Sequence, residues 1–215
     1  MSGYSTSDTT KNKMIQAAGE LAAAHGLAHL TTRMVAERAG ENIGSIHYHF
    51  GSKDGLLEAV VREAIGGCSH ADDLEIVKGI NEDSTPAELS ATIRSLVASE
   101  ITDMFRSDRP QWHVPVIYQL LQRDDHLYDI FDEQVLQQSV SGFTKLYKII
   151  DPDMSPEEIH LRAVIMKMPI FAHADYRKAM LKMLGTDQYS EDYLQTMEDL
   201  IVKQTQLLLG LPLDQ

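Results

Sequence analysis

Apolar residues recur along this chain at three- and four-residue spacing, and no stretch alternates as a strand would, so the pattern predicts an all-α protein. From Thr9 or Thr10 onward, Met14, Ile15, Ala18, Leu21 and Ala22 mark one helical face, and His25-Gly26 closes it. Residues 1–8 are small and polar and are expected to stay unstructured. Leu27 and Leu30 fall beneath the next turn. Val35, Ala36 and Ala39 then share a face, with Arg33, Glu37 and Arg38 mostly opposite. Thr31 is placed to cap this helix and Gly40 to stop it, since glycine takes the left-handed conformation without penalty. Asn42 caps a shorter helix over 43–49, Phe50 closes a small core, and Gly51-Ser52 turns the chain again. Leu56, Leu57, Val60, Val61, Ala64 and Ile65 form the stripe of a fourth helix. It ends at Gly66-Gly67, the expected domain boundary and hinge.

The remainder reads as a second helical region. A stretch of mixed polarity to Asp83 continues the helix in part. Thr85-Pro86-Ala87-Glu88 is a capping box with proline at the first helical position, followed by Leu89, Ile93, Leu96, Val97, Ile101 and Met104 on one face. A shorter apolar helix covers 111–122, and another runs from Asp124 or Asp125 to about Ile150. Ser155-Pro156-Glu157-Glu158 repeats the start signal. In the helix after it, Ala163 to Ala172 leave almost no polar face, so it must be covered all round, and a partner subunit is a natural cover. Ser190 opens a last helix with Tyr193, Met197, Leu200, Ile201, Gln204, Leu207 and Leu208 on one side, stopped by Gly210-Leu211-Pro212. Two domains are expected, 9–66 and 67–215.

Within 31–53, TTRMVAERAGENIGSIHYHFGSK, two short helices flank a glycine-containing turn, the helix-turn-helix unit whose second helix enters the DNA major groove. This stretch resembles the N-terminal domain of the TetR/AcrR family of bacterial transcriptional regulators. Thr31, Val35, Ala36, Ala39, Gly40, Gly44, Ser45, Ile46, His49, Phe50, Ser52, Lys53 and Leu56 fit the family pattern. Glu41 departs from it, where a small apolar residue is usual. So does His47, where tyrosine is usual. Asn42-Ile43 followed by Tyr48 is most similar to a subgroup with a divergent C-terminal domain. The resemblance implies an N-terminal three-helix DNA-binding domain, its helix-turn-helix at about 31–50, and a helical C-terminal domain for ligand binding and dimerisation.

Composition narrows the alternatives. The chain has 215 residues, 43% apolar and 24% charged, which suits a globular protein rather than a disordered one. Its apolar runs are too short to span a membrane. The N-terminal MSGYSTSDTTKNK has no apolar signal core, and the single cysteine, Cys68, cannot form an internal disulfide, so a cytoplasmic location is expected. Net charge is −13, but residues 1–65 hold six basic against seven acidic side chains, so nearly all the excess lies beyond the proposed reader. A neutral reader cannot coat DNA by charge, and affinity must come from a few placed contacts on two copies acting together. No G-x-S-x-G, H-E-x-x-H, P-loop or dinucleotide fingerprint is present, so no catalytic residue, cofactor or enzymatic role is expected. His25 and His29 have a metal-pair spacing broken by Gly26. His47 and His49 diverge on a helix, and no metal is expected there either.

Position assigns the remaining roles. Asn42, Gly44 and Ser45 open the recognition helix, where side chains reach base edges. Thr31, Thr32, Arg33, His47, Tyr48, His49 and Lys53 are placed for phosphates. A small apolar or aromatic effector is expected among Met104, Trp112, Tyr118, Leu121, Phe143, Tyr147, Met166 and Phe171, the alternative being that most of these are ordinary core. His113, His126 and His173 either orient a polar group or lie on the surface. By the resemblance, the last two long helices supply a four-helix dimer interface, with Ile159, Ala163, Ile170, Tyr193, Met197, Leu200, Ile201, Gln204 and Leu208 as candidates, or else fill the protomer's own core. The partners expected are operator DNA, a second copy and a small-molecule effector, with no membrane.

Overall fold

The computed structural model describes residues 3–66, 70–106 and 108–213. Gly67 and Cys68, singled out above, lie outside them. Among the described residues every regular element is helical. In chain order these are α1 (Gly3–His25), α2 (Thr32–Ala39), α3 (Ile43–Phe50), α4 (Lys53–Gly66), α5 (His70–Lys78), α6 (Pro86–Ile101), α7 (His113–Leu120), α8 (His126–Phe131), α9 (Gln137–Ile150), α10 (Pro156–Asp175), α11 (Arg177–Leu184) and α12 (Glu191–Leu209). A 3-10 turn at Leu27–His29 and π-helical turns at Thr102–Arg106 and Asp132–Leu136 punctuate them. None of the described helices is long and apolar enough to cross a membrane.

The chain folds as two compact units, Met1–Cys68 with Arg109–Gln134, and Ser69–Asp108 with Val135–Gln215. In the first, α1 packs on α2, α4 and α7, and α3 on α2 and α4. Met14, Ile15, Ala18 and Ala22 of α1 are buried as their spacing requires, as are Val35, Ala36, Ile46, Leu56, Val60 and Val61 of the same unit. α1 starts at Gly3, well before Thr9, because neither proline nor glycine interrupts the chain between Tyr4 and Ala18. The segment 109–134 returns to this unit. Trp112 lies against α1 at Gly19, where a Cβ would stand 2.2 Å from the indole, so only glycine admits the ring. Its Nε1 donates to Gln16 Oε1 at 2.8 Å. Gln119 of α7 clips the end of α1 from both sides: Nε2 donates to Ala22 O at 3.0 Å, and Oε1 accepts from Leu27 N at 2.7 Å.

In the second unit, α6, α9, α10 and α12 enclose a core that includes Ile93, Val97, Ile101, Leu146, Tyr147, Ile170 and Val202. The capping box at Thr85 forms: Thr85 Oγ1 accepts from Glu88 N and Glu88 Oε2 from Thr85 N at 2.7 Å. Ser155 and Ser190 likewise accept from Glu158 N and Tyr193 N. The single helix expected to reach Ile150 is instead α8 and α9, divided by the π turn. α11 was not foreseen. α10 meets its all-round apolar pattern in two ways. Ile159, Met166 and Ile170 are buried, while Leu161, Val164, Ile165 and Met168 are exposed. α12 buries Met197, Ile201 and Val202 and exposes Leu200, Leu207 and Leu208.

Candidate nucleic-acid interface

The turn between α2 and α3 follows from its residues. Gly40 takes φ 69°, and Glu41 N then donates to Ala36 O at 2.9 Å, so the last carbonyls of α2 are satisfied. Thr31 Oγ1 accepts from Met34 N at 3.2 Å and Asn42 Oδ1 from Ser45 N at 2.9 Å, capping both helices as their side chains suggest. Glu41, the unusual residue of the turn, accepts from Thr10 Oγ1 of α1 at 3.5 Å. The fully buried Ile46 anchors α3 from beneath.

What α3 leaves outside is the candidate interface. Asn42, Gly44, His47 and Tyr48 are exposed, Tyr48 by 82% of its surface. Ser45 and His49 are half-buried, and His49 meets Tyr48 edge-on at 5.0 Å. Thr31 and Arg33 are exposed on α2, Thr32 is half-buried there, and Lys53 stands half-buried in the first turn of α4. All ten residues expected at DNA thus sit on α3, its cap and the N-terminal turns of α2 and α4, with no carboxylate on α3 itself. Arg33 is held by Glu37 at 2.9 Å. His47 Nδ1 lies 3.2 Å from the carbonyl oxygen of Gly51.

The residues expected to hold an effector divide between the units. Trp112, Tyr118 and Leu121 fall in the first; Met104, Phe143, Tyr147, Met166 and Phe171 fall in the second. Trp112 is a packing residue, seated on Gly19, and Leu121 is 48% exposed. Tyr147 and Met166 are sunk in the core. Phe143 and Phe171 line a trough of about 270 Å³ between α9 and α10, with Val140, Ile159, Ala163 and Met168. A larger groove of about 590 Å³ on the first unit is lined by Ile15, Ala17 and Trp112 and edged by the charged Lys13, Glu20, Arg38 and Glu63.

Sequence reasoning missed what floors the trough. Lys167 Nζ donates to Glu100 Oε2 at 2.9 Å, to Asp73 Oδ2 at 3.1 Å and to Ser139 Oγ at 3.2 Å, and stands 5.1 Å from the centre of the Phe143 ring. Burial pulls its pKa down, but Glu100 and Asp73 outweigh burial and hold it above the ordinary lysine value. The signal was a single lysine inside the apolar run of α10, which demands a buried counter-ion. Of the histidines in question, His126 is exposed beside Glu58. His173 is half-buried, with Nδ1 2.7 Å from Pro169 O and Nε2 2.9 Å from Tyr193 Oη. His113 is buried, and neither ring nitrogen has a partner.

The dimer candidates also divide. Ile159, Ile170, Met197 and Ile201 belong to the protomer's own core, since their side chains already pack inward. Ala163 and Tyr193 are half-buried, and Leu200, Gln204 and Leu208 remain on the surface.

Against known proteins, residues 14–60 match the family described as bacterial regulatory proteins, tetR family. The HTH-type transcriptional regulator BetI 1 of Chromohalobacter salexigens is 42% identical over 55 residues, 26% of this chain and 27% of that protein. The match therefore spans about a quarter of this curated relative. The fold likeness is broader. A bacterial regulatory protein in the tetR family from Rhodococcus RHA1 superposes with a TM-score of 0.61 at 18% identity, over 94% of this chain and 98% of that one. A SmeT–triclosan complex gives 0.56 at 16% identity, over 93% and 91%.

Proposed function

Since the chain belongs, through its N-terminal domain, to the tetR family of bacterial regulatory proteins, we propose that it is a ligand-responsive transcriptional repressor working in the cytoplasm. Two copies would bind a palindromic operator and leave it when a small apolar or aromatic effector binds. The observation that carries this reading is the disposition of α3: buried at Ile46, and open at Asn42, Gly44, His47 and Tyr48. A helix so placed fits a major groove, and a pseudo-palindromic site needs two of them.

The proposed dimer face is what α10 and α12 leave uncovered away from the trough: Leu161 and Ile165, with Leu200, Leu207 and Leu208. This replaces the buried candidates with their exposed neighbours. Exposed apolar side chains on neighbouring helices are a common mark of a protein interface. The effector site is proposed on the second unit, where the trough beside Phe143 and Phe171 has the apolar lining such a guest needs. That SmeT is seen with triclosan is consistent with a small aromatic guest on this fold. The effector would act by favouring a spacing of the two readers that no longer fits successive grooves, with α4, which leads from the reader to the domain boundary, as the lever.

The test is selection of duplexes by the full chain from a random library, followed by a salt titration of the best site. A palindromic site whose affinity falls steeply with salt supports the reading. No selection at low salt would favour the alternative, an all-helical small-molecule-binding or adaptor protein that has lost DNA binding. Leu200→Glu with Leu207→Glu is expected to give a monomer in sedimentation that no longer holds the palindrome.

A further inference from the structure

We propose that His47 binds phosphate more tightly when it carries a proton, so that operator binding takes up protons through the recognition helix. This rests on the DNA-reading role proposed above. Nδ1 of His47 lies 3.2 Å from the carbonyl oxygen of Gly51, at the C-terminal end of α3. A carbonyl has no proton to give, so Nδ1 is the donor. A neutral imidazole carries one ring hydrogen, and here Nδ1 holds it. Nε2 is then left with a bare lone pair on an exposed side chain.

Phosphate oxygens are acceptors, and a lone pair facing them repels. The imidazolium differs. Its Nε2 donates to phosphate, Nδ1 keeps its bond to Gly51, and the new charge makes the contact stronger than a neutral hydrogen bond. The carbonyl end of α3 favours that same cation. α3, IGSIHYHF, has no lysine, arginine or carboxylate, and its other titratable groups are Tyr48 and His49. The helices packed against it, α2 and α4, carry Arg33, Arg38, Lys53 and Arg62 against Glu37, Asp54, Glu58 and Glu63. The two helices carry four cations and four anions, so they leave no net charge to mask a proton gained on His47.

The experiment is fluorescence anisotropy of the full chain on its selected duplex at fixed salt, from about pH 6 to about pH 8.5, either side of the usual imidazole titration. Affinity is expected to fall about tenfold or more across that range. His47→Tyr and His47→Arg supply a donor without a nearby titration and are expected to bind with a flat profile, while His29→Gln keeps the wild-type slope. An unchanged slope in His47→Tyr, or loss of binding by both variants, overturns the proposal. So does wild-type binding that ignores pH, which leaves the DNA-reading role standing. Absence of binding by wild type at every pH overturns that role and the proposal with it. A readout without DNA is nitrogen NMR of the neutral His47 ring. A proton on Nδ1 is expected, and a proton on Nε2 overturns the inference.

Discussion

The polar groups around α3 and those around Lys167 are held in opposite ways. In the first, the groups that shape the reader are satisfied by near neighbours in sequence: Thr31 by Met34, Asn42 by Ser45, Ser52 by Gly55. Each bond spans one helical turn and stays at the surface. In the second, Lys167 is buried between Asp73 and Glu100, and the three come from α10, α5 and α6. Local caps can be lost one at a time at modest cost. A buried charge cluster fails as a whole, because whatever remains is stranded without water. The contrast makes the reader tolerant of change and the second unit brittle around one lysine.

The sharpest way to break that contrast is Lys167→Met. It takes the lysine cation away from two buried carboxylates, and a cost of ~3–5 kcal/mol is expected in urea unfolding. The raised lysine pKa means the wild-type contribution is complete at neutral pH and fades only as pH climbs through the folded value, above the ordinary ~10.4. The variant should behave oppositely and regain stability as pH falls and the carboxylates take up protons. Adding Asp73→Leu and Glu100→Leu should return most of the loss. A Lys167→Met variant within ~1 kcal/mol of wild type would show that the cluster is no more demanding than a surface pair.

In the first unit His113 has no such local partner, and its pKa is pushed down to about 4, by burial first and by the charge of Arg109 second. The unfolded histidine takes its proton near pH ~6.5 and the folded one does not. Stability is therefore whole above that pH and declines as pH falls toward about 4, by ~3 kcal/mol at most. His113→Leu should remove this part of the acid sensitivity, measured as unfolding free energy against pH.

The reader was legible because its signals are local. Caps, the stop at Gly40 and the apolar spacing all act within one or two turns, and the match to a known family covers the same residues. The second unit was legible only as helices. Nothing in 109–134 says which unit it joins, since its apolar spacing suits either. From sequence Trp112 reads as an effector contact or as ordinary core, and its seat, Gly19, is far away in sequence and has no side chain to advertise itself. The dimer candidates mix core and surface positions for a related reason: on a helix apolar all round, periodicity cannot say which side faces its own core. Residue exposure separates Leu200, Leu207 and Leu208 from Met197 and Ile201.

Gly19→Ala probes that hidden seat. The added methyl would meet the indole at 2.2 Å, and the misfit should cost ~1–3 kcal/mol. Trp112 is the only tryptophan, so its fluorescence reports the displacement directly. Gly19→Ala with Trp112→Leu should recover part of the loss. An unshifted emission spectrum in Gly19→Ala would mean that the ring does not rest on α1.

The smallest effect separates shape from reading in the first unit itself. Asn42 caps α3 through Oδ1 and is also exposed where base edges would lie. Asn42→Ala removes the cap and should cost ~1 kcal/mol of stability. Asn42→Asp keeps an oxygen that can accept from Ser45 N, and its charge suits the helix N-terminus, so unfolding should scarcely change. On DNA the order reverses. The aspartate brings an anion toward phosphates and is expected to weaken operator binding more than alanine does, most clearly at low salt. If Asn42→Asp bound as tightly as wild type, the N-terminus of α3 would have to face away from the duplex, and the local polar groups of this unit would serve its fold alone.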